Sequence, residues 1–381
     1  METRKLYYED CMMREFTARV TACEACGDRW AVTLDKTAFF PEGGGQAWDT
    51  GKLGSVNVVE TQERGEEVVH YCDGPLAVGE EVAGVIDWER RFDQMQQHTG
   101  EHILSGLIHK HYGYHNTGYH VGDDTLEVDF SGILTWEQAM ALEREVNQAI
   151  WANTAIHAWI PTPEELPTVT YRTKRALPWP VRIVQIRGYD SCACCGVHVA
   201  QTGQVGLVKI LSLAKFHGGT RFQMVCGGRA YRWMAKIFEE NRRVSQAFSA
   251  KMDETGGAAQ RMNELLAAQK ARSAALEKQL FGYIAKSYTG RGDVLRFEEG
   301  LTPAGVRDLA ETMAKECGGV AAVLTGEGES WQVCLVGPAE AVKARGAAMI
   351  QALGGRGGGK AGFFQGSIKA SRGDIEGFFG L

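Results

Sequence analysis

The pentapeptide His98-Thr99-Gly100-Glu101-His102 is the stretch from which the rest of this sequence is best interpreted. Apolar residues recur around it at intervals of three and four, which predicts one amphipathic helix over residues 89–112. A spacing of four places both imidazoles on one face of that helix, with Cβ atoms about 6 Å apart, so both can bind one ion. A single histidine on an apolar face would indicate packing, but this pair favours a metal site.

A second pair with the same spacing follows about ninety residues later. Cys194 and His198 lie in a glycine-containing loop and complete a set of three nitrogen ligands and one sulfur with His98 and His102. Such a set suits Zn²⁺. Two arrangements stay open: a closed structural site, or a hydrolytic site with one position left for water or substrate. The base of a zinc peptidase directly follows the first histidine, where this chain has Thr99, which argues against that class.

Before the helix, short β-type runs alternate with turns, which predicts a small antiparallel barrel over residues 1–88. An unusual loop interrupts it at residues 39–46. Its three consecutive glycines, residues 43–45, allow a backbone to approach a ligand closely, or simply form a tight bend. Cys23 and Cys26 could form half of another zinc site, but no partner pair has suitable spacing, so we interpret them as packed or exposed thiols in a turn.

The remaining chain predicts an α+β protein with three further regions. Residues 89–236 form a zinc-containing domain, residues 237–288 a helical spacer, and residues 289–381 an α/β domain. The elements expected are helices at 135–153, 231–286 (broken near Gly256-Gly257), 303–316 and 339–353, and strands at 180–186, 205–211, 220–226, 320–324 and 331–336. Leucines at 265, 276 and 280 favour a folded-back helical hairpin or a dimer surface, and a glycine tract over 354–360 follows the last helix.

Composition limits the possible classes. The 381 residues, 44% hydrophobic and 23% charged, are typical of a globular protein with several domains. The N-terminus has no apolar signal segment and no run approaches 18 apolar residues, so neither secretion nor a membrane span is expected and the cytoplasm is the default location. Ten cysteines in such a chain indicate reduced thiols rather than a disulfide scaffold.

Charge is distributed unevenly along the chain. Residues 1–100 carry 10 basic and 19 acidic side chains, a net of −9. Residues 172–238 carry 11 basic side chains and a single acid, Asp190, a net of +10. Such a chain can bind polyphosphate on one face while its total charge remains −6. An ordinary basic surface offset by acidic neighbours explains the pattern equally well.

These motifs together resemble the editing region of alanyl-tRNA synthetases, and still more their freestanding AlaX-type relatives. The resemblance covers nearly the whole chain, and the glycine tract near the C-terminus is similar to the DHHA1 domain. The matching segments, in order, are residues 37–46 with Asp49 and Gly51, the pair His98 and His102 with Ile103-Leu104, the pair Cys194 and His198 with Thr202-Gly203, and residues 219–222.

The resemblance implies a zinc-dependent, ATP-independent hydrolase that deacylates mischarged tRNA for alanine, carrying serine or glycine. Because the chain begins at the barrel, it should be unable to activate alanine. The metal would be held by His98, His102, Cys194 and His198. Substrate contacts would come from Thr37, which would read a serine hydroxyl, and from Gly43, Gly44, Gly45 and Gln46. RNA contacts would come from Arg221, Lys209, Lys215, Gly357, Gly358, Gly359 and Lys360.

Three other functions compete with this one. A non-catalytic tRNA-binding protein with a structural zinc would have a closed site and no turnover. A phosphoesterase would match the C-terminal domain, but the sequence has no Asp-His-His run for two metals. A deacylase of the same chemistry could act on another aminoacyl-tRNA or on a free small molecule.

Overall fold

The computed structural model of this protein describes residues 2–173 and 177–380. The chain divides into two compact units, Met1–Arg242 and Arg243–Leu381. Helices and sheets occur in both, so the predicted α+β class is confirmed. Within the described ranges, no helix combines the length and apolarity that a membrane span requires. The finer division into four domains stays a prediction.

The first unit opens with a barrel of antiparallel strands in the order β2-β3-β7-β6-β5-β8. Alternate residues of its strands, such as Val20, Val32 and Leu53, point inward and form its core. Cys23 lies within β2 rather than in a turn, because the turn falls at Gly27. The elements are β1 (Arg4–Lys5), α1 (Leu6–Glu9), β2 (Glu15–Cys26), β3 (Arg29–Leu34), β4 (Lys36–Thr37), β5 (Gly51–Leu53), β6 (Val56–Arg64), β7 (Glu67–Cys72) and β8 (Glu81–Ile86).

Helix α2 (Trp88–Tyr112) confirms the helix predicted over residues 89–112. It begins where the Asp87 carboxylate accepts the backbone N–H of Arg90, and it ends at Gly113 in the left-handed conformation. Its two internal glycines allow neighbouring strands to approach closely. A Cβ at Gly100 would lie 2.4 Å from Cys226 Sγ, and one at Gly106 would lie 2.2 Å from the Tyr189 carbonyl oxygen. Packing against the sheets therefore outweighs the helix-propensity cost of both glycines.

Two small sheets pack around α2, with strand orders β14-β15-β10-β9 and β11-β12-β13. The predicted 135–153 helix is confirmed as α3, whose start is fixed by a capping box between Thr135 and Gln138. The further elements of this region are β9 (Asn116–Val121), β10 (Leu126–Phe130), α3 (Trp136–Trp151), β11 (Ile156–Trp159), β12 (Ile183–Ile186), β13 (Asp190–Ala193), β14 (Val208–Phe216), β15 (Gly219–Cys226) and α4 (Gly227–Phe248).

The strand expected over residues 205–211 was placed too early. A 3₁₀ turn occupies Thr202–Val205, and Gly206 at φ +80° redirects the chain before β14 begins at Val208. The strand expected from residue 180 likewise begins only at Ile183. The hairpin between the last two strands is confirmed, with Gly218 at φ +81° in its turn.

The helix break predicted near Gly256-Gly257 was also misplaced. Helix α4 ends at Phe248, followed by Ser249 at φ +49°, and α5 (Thr255–Lys286) begins six residues later. The two glycines occupy the first turn of α5. Backbone N–H groups there have no partner within the helix in any case, so glycine does not interrupt the hydrogen-bonded ladder.

In the second unit, helices pack on a five-stranded sheet of order β16-β17-β18-β20-β19. The first pair is parallel and the other pairs are antiparallel. The glycine tract is itself an edge strand, β19, exposed along its whole length. The elements are β16 (Gly292–Phe297), α6 (Pro303–Cys317), β17 (Gly318–Glu327), β18 (Ser330–Val336), α7 (Ala339–Leu353), β19 (Gly355–Lys360), β20 (Phe363–Lys369) and α8 (Arg372–Phe379).

Candidate metal centre

The structure brings the four predicted ligands together. His98 and His102 project from α2, while Cys194 and His198 lie in the loop after β13. Ligand atoms of all four lie within 4.8 Å of one another. Cys194 Sγ is 3.5 Å from Nε2 of His98 and 3.5 Å from Nε2 of His198. The three histidines are almost completely buried. Three imidazole nitrogens and one thiolate converging at this range suit Zn²⁺.

Each of the three imidazoles has an oxygen atom next to its Nδ1. Such contacts fix the tautomer and the orientation of metal-binding histidines and leave Nε2 for the ion. His98 pairs with Gln46 Oε1 at 2.9 Å and His198 with Thr99 Oγ1 at 3.2 Å through hydrogen bonds, and His102 makes an ion-pair contact with Asp190 Oδ2 at 3.0 Å. The donor set and its orientation therefore both fit a metal ion.

Gln46, which the sequence predicts to contact substrate, has a buried side chain that contacts the candidate metal cluster. Its Oε1 also accepts the backbone N–H of Val197 at 3.1 Å, so one oxygen joins the barrel loop to both half-sites. Within the described residues, its Nε2 has no hydrogen-bond partner. Asp190 was missed as a functional residue, although a signal existed, because it is the single acid of the basic segment 172–238.

Arg182, also missed, holds the ligand loop in place. Its guanidinium donates to the carbonyl oxygens of Cys194 at 3.0 Å and Gly196 at 2.8 Å, and lies over the ring of Tyr8. Tyr8 in turn donates its hydroxyl to the Cys195 carbonyl at 2.9 Å. Gly196 has no room for a side chain, since a Cβ would lie 2.3 Å from His98 Cε1.

The electrostatics of the cluster favour the metal-binding protonation state at Cys194 and His198, but not at His102 in the absence of an ion. Burial raises the pKa of the Cys194 thiol, but the neighbouring imidazoles of His98 and His102 outweigh it and hold the pKa well below its ordinary value. Burial and the charges of His98 and His102 lower the pKa of His198 to about 3. Cys194 thus favours the thiolate and His198 the neutral imidazole, the forms that bind metals. Burial lowers the pKa of His102, but the Cys194 thiolate and Asp190 outweigh burial and hold that pKa well above its ordinary value, so metal binding there displaces a proton.

A buried ion pair docks the barrel loop onto α2. Arg91 Nε donates to both carboxylate oxygens of Asp49 at 2.9 and 2.8 Å, and Arg91 Nη2 donates to the Ala38 carbonyl at 2.6 Å. The Asp49 carboxylate also accepts the backbone N–H of Phe40 at 2.6 Å. Removing one partner of such a pair would leave an uncompensated buried charge.

A cavity of about 750 Å³ opens beside the four ligands, and Gly44 lines it. Gly44 and Gly45 adopt φ of +62° and +85°, which form the tight turn expected of the loop. Gly43 and Gln46 exchange two backbone hydrogen bonds across this turn, at 3.1 and 3.0 Å. The Gly43 N–H is thereby used within the loop, which leaves Gly44 and Gly45 as candidate donors to a substrate.

Thr37 does not line the cavity. Its side chain is fully buried, and its hydroxyl lies 2.8 Å from His70 Nε2 and accepts the backbone N–H of Phe39 at 3.1 Å. His70 Nδ1 faces the Val32 carbonyl at 3.1 Å, so Nδ1 carries the proton and Nε2 accepts the Thr37 hydroxyl proton. That proton is therefore already donated inside the protein.

The residues predicted to bind RNA lie in different settings. Arg221 forms a bidentate pair with Asp129 at 2.7 and 2.8 Å, and Lys209 pairs with Glu143 at 2.7 Å. Lys215 is exposed on β14. Gly357, Gly358, Gly359 and Lys360 lie on the exposed edge strand β19 of the second unit. Two basic residues of the segment 172–238, Lys174 and Arg175, fall outside the described residues.

Comparison with known proteins gives two family matches. Residues 181–222, which include Cys194 and His198, match the threonyl and alanyl tRNA synthetase second additional domain. Residues 3–90, the barrel region, match the class II (A) tRNA synthetases.

Individual relatives extend these matches. The chain is 29% identical to the alanyl-tRNA editing protein Aarsd1 of Mus musculus, over 96% of this chain and 95% of that protein. It is 29% identical to Aarsd1-B of Xenopus laevis with the same coverage. It is 36% identical to the alanine–tRNA ligase of Ignicoccus hospitalis over 65% of this chain, but spans only 28% of that enzyme.

Among solved structures, the C-Ala domain of Aquifex aeolicus alanyl-tRNA synthetase matches 24% of this chain and 92% of that domain, at 20% identity and a TM-score of 0.21. That likeness is too weak to bear on function. The sequence matches to the two family models and to the Aarsd1 proteins are the ones that bear on function. Over nearly its whole length, this chain is similar to freestanding alanyl-tRNA editing proteins.

Proposed function

We propose that this protein hydrolyses the ester between a wrong amino acid and the terminal adenosine of tRNA for alanine. The observation that carries the proposal is the cavity beside four convergent metal ligands, in a chain similar to alanyl-tRNA editing proteins over 96% of its length. Serine is the first amino acid to expect and glycine the second. A synthetase pocket cannot strongly reject an isostere that only adds a hydroxyl, so serine is mistaken for alanine.

Zn²⁺ is the ion that we propose for His98, His102, Cys194 and His198, because a soft thiolate combined with imidazoles selects it over the harder cations. When bound, zinc would polarise the ester carbonyl or hold the terminal adenosine in place. The protein's part is to keep the ligand set rigid. Gln46 and Asp190 orient two of the imidazoles through their Nδ1 atoms.

The turn at Gly44 and Gly45 would supply backbone N–H groups to the substrate. Gly44 lines the cavity directly, and the left-handed conformation of both glycines lets the main chain approach without side chains. Donors held rigidly at the place where an ester oxygen gains negative charge stabilise the transition state. We propose this role, or contact with the ribose, for these two amides.

Binding of tRNA beyond the acceptor end would involve the exposed basic residues. We propose Lys215 in the first unit and the edge strand β19 with Lys360 in the second as phosphate contacts. The DHHA1-like character of the second unit and a cytoplasmic location are part of the same proposal. A homodimer would use the exposed leucines of α5, among them Leu265 and Leu280.

Release of amino acid from tRNA for alanine charged with serine, glycine or alanine tests the proposal. We expect purified protein to release serine and glycine much faster than alanine. Absence of release from all three substrates would contradict it. Release from other mischarged tRNAs at the same rate would favour a deacylase of broader or different specificity.

One observation favours a second candidate, a tRNA-binding protein with a structural zinc. The ligand atoms of all four residues lie within 4.8 Å of one another, and a four-coordinate ion bound by all of them would have no open position. This candidate predicts tight binding of tRNA for alanine and no hydrolysis of any ester, so the same assay separates the two functions.

A further inference from the structure

Glu101 is a buried carboxylate that the metal site does not use. It lies on α2 between the ligands, lines the cavity, and its side chain is only 5% exposed. Its Oε1 accepts the Ser105 hydroxyl and the Asn116 amide, the latter at 2.5 Å. These donors fix one carboxylate oxygen and leave Oε2 for another partner.

Within the described residues Glu101 forms no ion pair with a lysine or arginine, and the Arg172 guanidinium, which lines the same cavity, pairs with Asp190 instead. Across the described part of the chain, the one ion-pair neighbour of Glu101 is the ligand His102, whose Nε2 lies 3.9 Å from Oε2. A buried carboxylate without a cation is costly. The carboxylate lines a cavity in which a substrate would bind, so a cationic group of the substrate is a suitable partner.

Two more polar atoms at the same cavity lack partners. Asn116 Oδ1 and the Tyr119 hydroxyl are buried, and neither has a hydrogen-bond partner within the described residues. The Tyr119 ring is fixed between the stacked ring of His98, at 5.2 Å, and Gly45, where a Cβ would lie 2.5 Å from it. A buried polar atom that lacks a partner in the free protein points to a ligand that supplies one.

We propose that Glu101, Asn116 and Tyr119 form a subsite for the α-ammonium group of the aminoacyl ester. An ammonium carries three N–H donors, and this subsite offers three acceptors, namely Glu101 Oε2, Asn116 Oδ1 and the Tyr119 oxygen. Hydrogen bonds between ionised partners are about twice as strong as neutral ones. This inference rests on the proposed function. It adds the site that would recognise the α-ammonium group, the feature that all aminoacyl ester substrates share.

The consequence is selectivity for free aminoacyl esters. A substrate whose amino group is acylated loses the positive charge and gains bulk, so the subsite would reject it. A substrate without the amino group would leave Glu101 unpaired in the complex, and its affinity would fall by about tenfold or more.

The test uses two non-hydrolysable analogues of the tRNA terminus. One is adenosine carrying serine through a 3′-amide, and the other carries 3-hydroxypropionate through the same amide, so the two differ only by the ammonium. Titration calorimetry at pH 7 on the full, metal-loaded chain should show about tenfold or greater preference for the serine analogue. Glu101→Gln, which keeps the shape and removes the charge, should bring the two dissociation constants within about twofold of each other.

Three controls make the result specific. Glu145→Gln alters an exposed glutamate of α3 that pairs with His111, and should keep the wild-type preference. Glu101→Asp should restore part of the preference. Metal content measured on each variant should equal that of the wild-type protein, which shows that the neighbouring ligand His102 is undisturbed.

Each other outcome has a definite meaning. If Glu101→Gln weakens both analogues equally, Glu101 only holds Asn116 and Ser105 in place, and the subsite is wrong. If the wild-type protein binds both analogues equally, the subsite is wrong while the proposed function stands. If the wild-type protein binds neither analogue and releases no amino acid from charged tRNA, the proposed function fails and the subsite with it.

Discussion

The Nδ1 atom of His98 lies 2.9 Å from Oε1 of Gln46, and this contact joins the glycine loop of the barrel to the ligand helix. The two residues are 52 positions apart in the sequence. Because the same oxygen accepts the Val197 N–H, a change at Gln46 acts on both halves of the metal site at once.

Gln46→Ala should therefore weaken metal binding without removing a ligand. Loss of such a supporting hydrogen bond typically lowers metal affinity about 10–100-fold. Competition with a chromophoric chelator measures the affinity directly. Gln62→Ala provides a control in the barrel, where that side chain donates to the carboxylates of Glu42 and Glu60. Equal zinc affinity in wild-type and Gln46→Ala protein would remove Gln46 from the site.

Removal of a ligand should have a stronger effect. We expect about one Zn²⁺ per chain after purification, and Cys194→Ala or His98→Ala should lose both the metal and deacylation, because a tetrahedral site needs all of its protein ligands. Elemental analysis and circular dichroism measure metal and helix content. Cys26→Ala, a change of an exposed thiol remote from the cluster, should retain both the metal and deacylation. Full activity of a demetallated sample would contradict zinc dependence.

Thr37→Val should act on stability rather than on discrimination. The hydroxyl is buried and donates to His70, so replacing it should lower the free energy of unfolding by about 1–3 kcal/mol. The ratio of kcat/KM for seryl-tRNA and glycyl-tRNA should stay the same. Thr37→Ser keeps the hydroxyl and should preserve the hydrogen bond. If Thr37 reads the serine side chain, Thr37→Val should instead reduce hydrolysis of seryl-tRNA selectively.

His70 should make the first unit sensitive to acid. Burial lowers the pKa of His70 to about 4 from its ordinary value of 6.5. Above pH 6.5 the imidazole is neutral in both the folded and the unfolded chain, and stability is unaffected. Between pH 6.5 and 4 only the unfolded chain takes up the proton, so the free energy of unfolding falls by about 1.4 kcal/mol per pH unit.

Urea unfolding at pH 7, 5.5 and 4.5 measures that slope. His70→Gln should be less stable at pH 7, but its stability should decline less as the pH falls. The exposed His157 serves for comparison, since His157→Gln should retain the wild-type slope. Equal slopes for His70→Gln and the wild-type protein would show that His70 takes up a proton in the folded state as readily as in the unfolded one.

The edge strand β19 should contribute to tRNA capture rather than to chemistry. Arg356→Ala combined with Lys360→Ala should raise KM for full-length tRNA and leave kcat nearly unchanged. The slope of log affinity against log salt should decrease by about 2, because each phosphate contact releases about one counterion. Lys343→Ala on α7 is the matched control. An unchanged KM and salt slope would favour a role of the second unit in dimerisation.

The convergence of the four candidate ligands was predictable from sequence because their signal is local. His98 with His102 and Cys194 with His198 each have a spacing of four, and α2 was visible as a repeat of three and four. The residues that contact the Nδ1 atoms of the histidines were not predictable in the same way. Gln46 and Thr99 meet their imidazoles across 52 and 99 positions, and only packing brings them together. Asp190 alone had a signal, as the single acid in a basic segment.

Local patterns also misplaced three boundaries. The strands β12 and β14 begin three residues later than predicted, at Ile183 and, after the turn at Gly206, at Val208. The glycines at the start of α5 suggested a helix break that in fact lies before them. The glycine tract showed no strand pattern, because β19 is held by backbone hydrogen bonds to β20 and not by side chains. Residues 357 and 359 must be glycine there, since a Cβ would lie 2.6 Å from the Phe364 ring and 1.9 Å from the Phe363 carbonyl oxygen.

The separation between the two half-sites has a consequence for synthesis. His98 and Cys194 are 96 positions apart, so a growing chain that has exposed only α2 offers an ion two imidazoles. The complete set forms only after His198 has left the ribosome and the ligand loop has reached α2. Uptake of the proposed zinc would then be coupled to completion of the fold, and a product that ends before residue 194 would lack two of the four ligands.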